Sequence, residues 1–202
     1  MIYFVTAIGT DSGKTVISAV LCRALHADYW KPVQAGYPTD SETVKSLLGS
    51  ASKIHDETYV FKTPASPHAA AALDNIKISL GDFVIPHHTE NLIIEGAGGC
   101  LVPLNEKDFV IDLAIKFKAE VILVSDLYLG SINHTLLSWE ALTKRALTIK
   151  GIIFNGNPNA ESQRIILHHT GLRCLLHVEQ ENIIDDKVIE KYAKKLKENW
   201  NG

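Results

Sequence analysis

Ile2-Tyr3-Phe4-Val5-Thr6-Ala7-Ile8-Gly9-Thr10-Asp11-Ser12-Gly13-Lys14-Thr15 decides how the rest of the chain is read. Its first five residues are aromatic or β-branched and read as a buried strand; the stretch then loosens around Gly9 and Gly13 and ends on Gly-Lys-Thr ahead of a helical pattern. Strand, glycine-containing loop and helix is the context that a phosphate-binding P-loop requires. Backbone N–H groups at the helix start cradle phosphate oxygens, Lys14 neutralises the β and γ phosphates, and the Thr15 hydroxyl ligates the Mg2+ ion that bridges them. The stretch Asp11, Ser12, Gly13, Lys14, Thr15 and Val16 is therefore the expected nucleotide-binding segment. The loop is a variant, because standard spacing puts its first glycine at Ile8, and a loop one residue longer puts it at Ala7.

Outward from this stretch, short β-rich runs recur at Asn91 to Ile94, Val121 to Val124 and Ile149 to Phe154, with weaker ones at Tyr29 to Val33 and Cys174 to Val178. Helical periodicity lies between them, at Lys14 to Ala27, Ser41 to Leu48, Asp108 to Lys118, Ile132 to Arg145, Ala160 to His169 and Asp185 to Asn199. Most of the strands are apolar on both faces, as parallel strands covered by helices must be. The expected fold class is α/β: a three-layer P-loop nucleotide-binding fold with a mainly parallel sheet flanked by helices, and ligands at the carboxyl ends of its strands. The chain has 202 residues, no internal repeat and no linker-like stretch, so residues 1–202 are expected to form one domain. Twenty Lys and Arg against 23 Asp and Glu exclude the strongly basic surface of a non-specific nucleic-acid or anionic-membrane binder. Met1 to Val5 reads as a strand and not a leader, and no apolar run reaches the roughly 20 residues of a membrane helix. Three scattered cysteines, Cys22, Cys100 and Cys174, suit a reducing cytoplasm and suggest neither a disulfide framework nor a zinc site. The lysines of the last helix read as a solvated face.

Two further motifs carry chemistry. Asn91-Leu92-Ile93-Ile94-Glu95-Gly96-Ala97-Gly98-Gly99 is a buried strand that ends in a carboxylate and a glycine-rich turn. Glu95 stands where a P-loop enzyme holds Mg2+ opposite the loop hydroxyl, and the glycines let a ligand approach the backbone. Tyr29-Trp30-Lys31-Pro32-Val33-Gln34-Ala35-Gly36 places Lys31 at a strand end, where a cation can neutralise a transferring phosphoryl group. Asp40 follows, either as a second Mg2+ carboxylate or as the N-cap of the helix from Ser41. The adjacent pairs His87-His88 and His168-His169 do not share a helix face and read as solvated, whereas His68 and His134 stand in turn-like sequence leading into helices.

The motifs T-A-I-G-T-D-S-G-K-T, K-P-V-Q-A-G, S-P-H and I-I-E-G-A-G-G occur in an order and spacing that resembles the dethiobiotin synthetase family, as do L-G-S-I-N-H at Leu129 to His134 and Asn155 after a late strand. The resemblance covers about the first three quarters of the chain and fades beyond Gly156. It implies a homodimer with the active site at the subunit interface, and closure of the ureido ring of dethiobiotin from 7,8-diaminononanoate, CO2 and ATP with Mg2+. By match to that family, Thr10, Lys14 and Lys31 are the catalytic set, and Thr15, Asp40 and Glu95 hold the metal. The resemblance also implies that Thr10, Lys31 and Gly98, with Gly130, Ser131, Ile132 and Asn133 from the neighbouring subunit, bind the substrate, and that Asn155 reads the adenine. Ala7, Asp11 and Ala35 depart from the family's usual glycine, glutamate and hydroxyl residue. The main alternative is a nucleotide-switched partition or targeting ATPase, but such switches place an additional lysine where Ala7, Ile8 and Gly9 stand. An amidating ligase with an attached glutaminase domain exceeds 202 residues. A silent nucleotide-binding subunit would not need Lys14, Lys31, Asp40 and Glu95 together.

Overall fold

A computed structural model describes residues 1–88 and 90–200. In chain order the elements are β1 (Ile2–Ala7), α1 (Lys14–Leu25), β2 (Asp28–Trp30), β3 (Val33–Ala35), α2 (Asp40–Leu48), β4 (Ile54–His55), β5 (Tyr59–Phe61) and α3 (Pro67–Leu73). There follow β6 (Leu92–Gly99), α4 (Asp112–Phe117), β7 (Glu120–Asp126), α5 (Ser131–Lys144), β8 (Ile149–Asn155), α6 (Ala160–Thr170), β9 (Cys174–Val178) and α7 (Asp186–Trp200). Seven strands form one parallel sheet in the order β4-β2-β6-β1-β7-β8-β9, and β3 pairs with β5 in a separate two-stranded sheet. The expected α/β architecture is the one observed.

Side-chain alternation builds the three layers. Tyr3, Val5, Ile93, Ile122, Val124 and Ile153 join a core with α1, α2 and α7. Their neighbours Phe4, Leu92, Ile94, Val121, Leu123, Ile152 and Phe154 join the opposite core with α3, α4, α5 and α6. Both faces of each strand are thus buried, which is why these runs read as continuously apolar. The same parity carries past the apolar run: Glu95, two residues after Ile93, meets the hydroxyl of Tyr29 from that core, and Lys31, just beyond β2, meets Glu95.

Two expectations change, and a third is refined. The strand read at Tyr29 to Val33 is broken after Trp30, because Pro32 has no N–H to give to a ladder, and Val33 onward pairs with β5 instead. The helix expected from Asp108 begins at Asp112. Ahead of it, residues 100–111 fold as a compact loop in which Val110 N–H donates to Val102 O, Leu104 N–H to Asp108 O, and Phe109 N–H to the Asp112 carboxylate. The last helix is solvated on its lysine face only; Ile189, Tyr192, Ala193, Leu196 and Trp200 are buried and pack toward α1. Among the described residues no helix is long and apolar enough to cross a membrane.

Candidate active site

The loop between β1 and α1 lies at the carboxyl end of a central strand, flanked by the ends of β6 and β7. Its backbone is left-handed at Asp11 (φ 58°) and Gly13 (φ 88°), the kind of curl that turns successive amides toward an anion. Aspartate tolerates that region better than a longer side chain, which accounts for Asp11. Glycine is favoured at Gly13 by its φ, and a Cβ there would displace the Asn155 amide from the loop. Ala7 and Ile8 are not left-handed, so the absent first glycine leaves no strain.

On the other side of the loop the three residues expected to hold a metal meet. The Thr15 hydroxyl lies 3.0 Å from Asp40 Oδ1 and 3.0 Å from Glu95 Oε1. Lys31 Nζ is 2.6 Å from Asp40 Oδ2 and 3.1 Å from Glu95 Oε1, and it also donates to Gly96 O. Lys31, Lys14 and Glu95 are all buried. Burial pushes the Lys31 ammonium down, but Glu95 and Asp40 outweigh it and hold the pKa above its ordinary value. Burial pushes Asp40 up, and Lys31 with its hydrogen-bond donors brings it below the usual carboxylate range. Among the described residues no carboxylate forms an ion pair with Lys14. Burial and the Lys31 charge lower it to about 8, and its Nζ donates to Gly9 O. Two carboxylates and a hydroxyl are hard oxygen donors of the number that Mg2+ takes while keeping waters, so the residues fit that ion. Among the described residues no cluster of three or more His, Cys, Asp and Glu offers a softer site.

The N-cap reading of Asp40 is corrected. Thr39 caps α2: its hydroxyl accepts from Glu42 N–H and Glu42 returns a bond to Thr39 N–H. Asp40 is thereby freed to face Lys31 and Thr15. Sequence reasoning also missed Gln34 and Tyr29. Gln34 accepts Asp40 N–H and donates to Gly36 O, clamping the turn that delivers Asp40. The Tyr29 hydroxyl donates to Glu95 Oε2 at 3.0 Å. The available signal was spacing, because Tyr29 stands two residues before Lys31 and so shares its side of an extended chain.

A cleft of about 840 Å³ opens over these groups. Thr10, Lys14, Thr15, Lys31, Asp40, Glu95 and Gly98 line it, together with Asp11, Gly13, Val16 and a wall at Pro64 to Pro67. Gly98 is left-handed and close to the Thr10 hydroxyl. Ser12 is buried in the loop, and the Asn155 amide donates to Ser12 O, which fixes the loop from the β8 side. Gly130, Ser131, Ile132 and Asn133 do not line the cleft of their own chain. They form the start of α5, where the buried Ser131 hydroxyl has no hydrogen-bond partner among the described residues. His68 is exposed beside Ser66 and outside the cleft lining. His134 contacts the Tyr128 hydroxyl and lines a smaller apolar hollow of about 220 Å³ beside Leu101 and Leu137.

A family model described as an AAA domain matches residues 2–188. The chain is 58% identical over 201 residues to the ATP-dependent dethiobiotin synthetase BioD of Cytophaga hutchinsonii, covering 98% of each chain. It is 44% identical over 198 residues to the protein of the same name from Christiangramia forsetii, covering 96% of this chain and 95% of that one. Among solved structures it is similar to a plasmid partition protein of Borrelia burgdorferi bound to AMPPNP, at TM-score 0.59 and 12% identity over 98% of this chain and 96% of that one. A ParA family ATPase of Chlorobium tepidum gives TM-score 0.54 and 14% identity, over 98% of this chain and 94% of that one. At that identity the partition ATPases share a fold with this chain, and the alternative of a partition switch draws no further support from them.

Proposed function

Because the chain belongs to the ATP-dependent dethiobiotin synthetase family, we propose that it closes the ureido ring of dethiobiotin from 7,8-diaminononanoate, CO2 and ATP. One substrate amine captures CO2 as a carbamate and releases a proton. A carbamate oxygen attacks the γ-phosphorus, the bond to the β-bridging oxygen breaks, and ADP departs. The neighbouring amine then attacks the carbamoyl carbon of the resulting carbamic-phosphoric anhydride, losing a proton as the C–O bond to phosphate breaks. Ring closure needs mainly orientation of the second amine, which intramolecular geometry supplies.

The observation that carries this reading is Lys31, buried between Asp40 and Glu95 and close enough to Lys14 to lower that lysine's pKa. Bringing an anionic carbamate against a γ-phosphate is a repulsive encounter, and two desolvated cations at the meeting point offset it. Thr15, Asp40 and Glu95 would hold Mg2+, which would supply further neutralisation of the β and γ phosphates. Lys14 and the amides of Asp11, Ser12, Gly13 and Val16 hold the phosphates, and Thr10, Lys31 and Gly98 position the carbamate.

The whole chain acts as one ligase domain, as a homodimer, in the cytoplasm. Support for the dimer comes from Leu101, Tyr128, Leu129 and Leu137, which are exposed around the start of α5 and the small apolar hollow. Burying them against a second copy brings the start of α5, with Gly130, Ser131, Ile132 and Asn133, to the neighbouring cleft. There the helix N-terminus and the unpartnered Ser131 hydroxyl suit the distal carboxylate of the substrate. Asn155, beside the P-loop, is assigned to the adenine. The free cysteines, two buried and one exposed, suit a reducing compartment.

Incubation with 7,8-diaminononanoate, labelled bicarbonate, Mg2+ and ATP, followed by mass spectrometry, tests the reaction. Labelled dethiobiotin with stoichiometric phosphate is the expected result, and phosphate release without ring formation overturns it.

A further inference from the structure

Tyr29 is completely buried in the core between the sheet and α1, among apolar neighbours that phenylalanine would satisfy equally well. A hydroxyl in such a place needs a partner to offset its desolvation, and Glu95 Oε2 is that partner, 3.0 Å away. The phenol is the donor in that bond and the carboxylate oxygen the acceptor. The two oxygens of Glu95 are consequently divided. Oε2 is tied to the core, and Oε1 faces the Thr15 hydroxyl and Lys31 on the side that lines the cleft.

The terminal torsion of a glutamate is broad and nearly two-fold, so nothing intrinsic to the side chain chooses which oxygen faces the ligand. Thr15 and Lys31 do not supply that choice independently, because both are themselves groups through which phosphate and metal are bound. Tyr29 is the contact that approaches Glu95 from behind, from a strand that phosphate and metal do not touch. We propose that Tyr29 is a positioning residue that fixes the rotation of the Glu95 carboxylate and so presents one oxygen to a divalent cation before nucleotide arrives. The proposal rests on the reading of Thr15, Asp40 and Glu95 as the metal-binding set. Oriented outer partners of this kind typically contribute 10- to 100-fold to metal affinity.

The test measures binding and not turnover. Mn2+ is titrated into the full-length protein at saturating ADP and the free ion is followed by electron paramagnetic resonance, for the unaltered chain, Tyr29→Phe, Glu95→Gln and the double variant. Tyr29→Phe removes one oxygen and keeps the packed ring, and thermal unfolding reports its fold separately. The expected result is Mn2+ binding weakened about tenfold by Tyr29→Phe, with metal-free ADP affinity unchanged and no further weakening when Tyr29→Phe is added to Glu95→Gln. Equal Mn2+ affinity in Tyr29→Phe and the unaltered chain overturns the role of Tyr29, whatever happens to the melting temperature. Additive weakening in the double variant overturns it as well, because the phenol would then act other than through Glu95. Failure of the unaltered chain to take up Mn2+ with ADP overturns instead the metal-site reading on which the proposal stands.

Discussion

At Lys14 the folded chain lowers a lysine to about 8 by burial and by the Lys31 charge. The consequences for stability and for binding run in opposite directions. A folded pKa below the unfolded 10.5 means that the unfolded state binds more protons between these values, so this lysine's penalty is full below about 8 and is relieved as pH rises through the window. Binding behaves inversely, since an incoming polyphosphate favours the charged form. Nucleotide binding at about pH 9 is therefore expected to take up more protons and to be weaker than at about pH 7, which calorimetry in buffers of different ionisation enthalpy would show. Lys31→Ala leaves Asp40 and the buried Glu95 facing each other without their cation. Metal-free denaturation is expected to show a loss of about 3 kcal/mol, with turnover reduced on the order of 100-fold and the ATP KM little changed. Unaltered turnover would take Lys31 out of the mechanism. The identity of these residues was legible in the sequence because each sits at a strand end or loop whose context names its chemistry. Thr39-Asp40-Ser41-Glu42 is a local capping signature that the Asp40 N-cap reading passed over. Tyr29 and Gln34 were harder to read: spacing puts Tyr29 beside Lys31 but does not show its partner, a carboxylate 66 positions away, and Gln34 acts through a turn whose course depends on tertiary contacts.

Helix α2 is the element through which one of the two carboxylates reaches the site, and its first turn is held by the Thr39 capping box and by Gln34. Thr39→Ala is expected to cost about 1 kcal/mol in denaturant unfolding. It should also raise the Mg2+ concentration needed for half-maximal activity, because Asp40 is the residue next to the cap. Loss of stability with an unchanged Mg2+ titration would confine Thr39 to a structural role. The long, doubly apolar strands β1, β6, β7 and β8 were readable from their sequence. The short ones, β3, β4 and β5, were not: two or three residues carry too little periodicity, and Pro32 divides what otherwise looks like one run. The late start of α4 has a similar origin. Asp108 and Asp112 are compatible with a helix, but the backbone around Asp108 is committed to the preceding loop, and a local pattern does not show that bond going elsewhere.

For the whole molecule, the proposed homodimer through the exposed apolar side chains around α5 is testable by complementation. Mixing Lys14→Ala and Asn133→Ala proteins, each inactive alone, should restore roughly a quarter of normal activity, since half the random dimers are hybrids with one intact site of two. No recovery despite demonstrated subunit exchange would place the site within one chain. The sheet order carries another consequence. Strand β1, which leads into the P-loop, finds its two neighbours only much later in the chain: Ile2 pairs with Leu92, and Tyr3 with Glu120. At synthesis rates of roughly 10 residues per second, the ribosome makes these partners on the order of ten seconds after β1. Throughout that interval the nucleotide loop has no scaffold, and an apolar strand edge is open to solvent and to other nascent chains. Competence to bind nucleotide should thus arise abruptly and late in translation, when β7 leaves the exit tunnel, and until then the nascent chain depends on whatever shields its first strand.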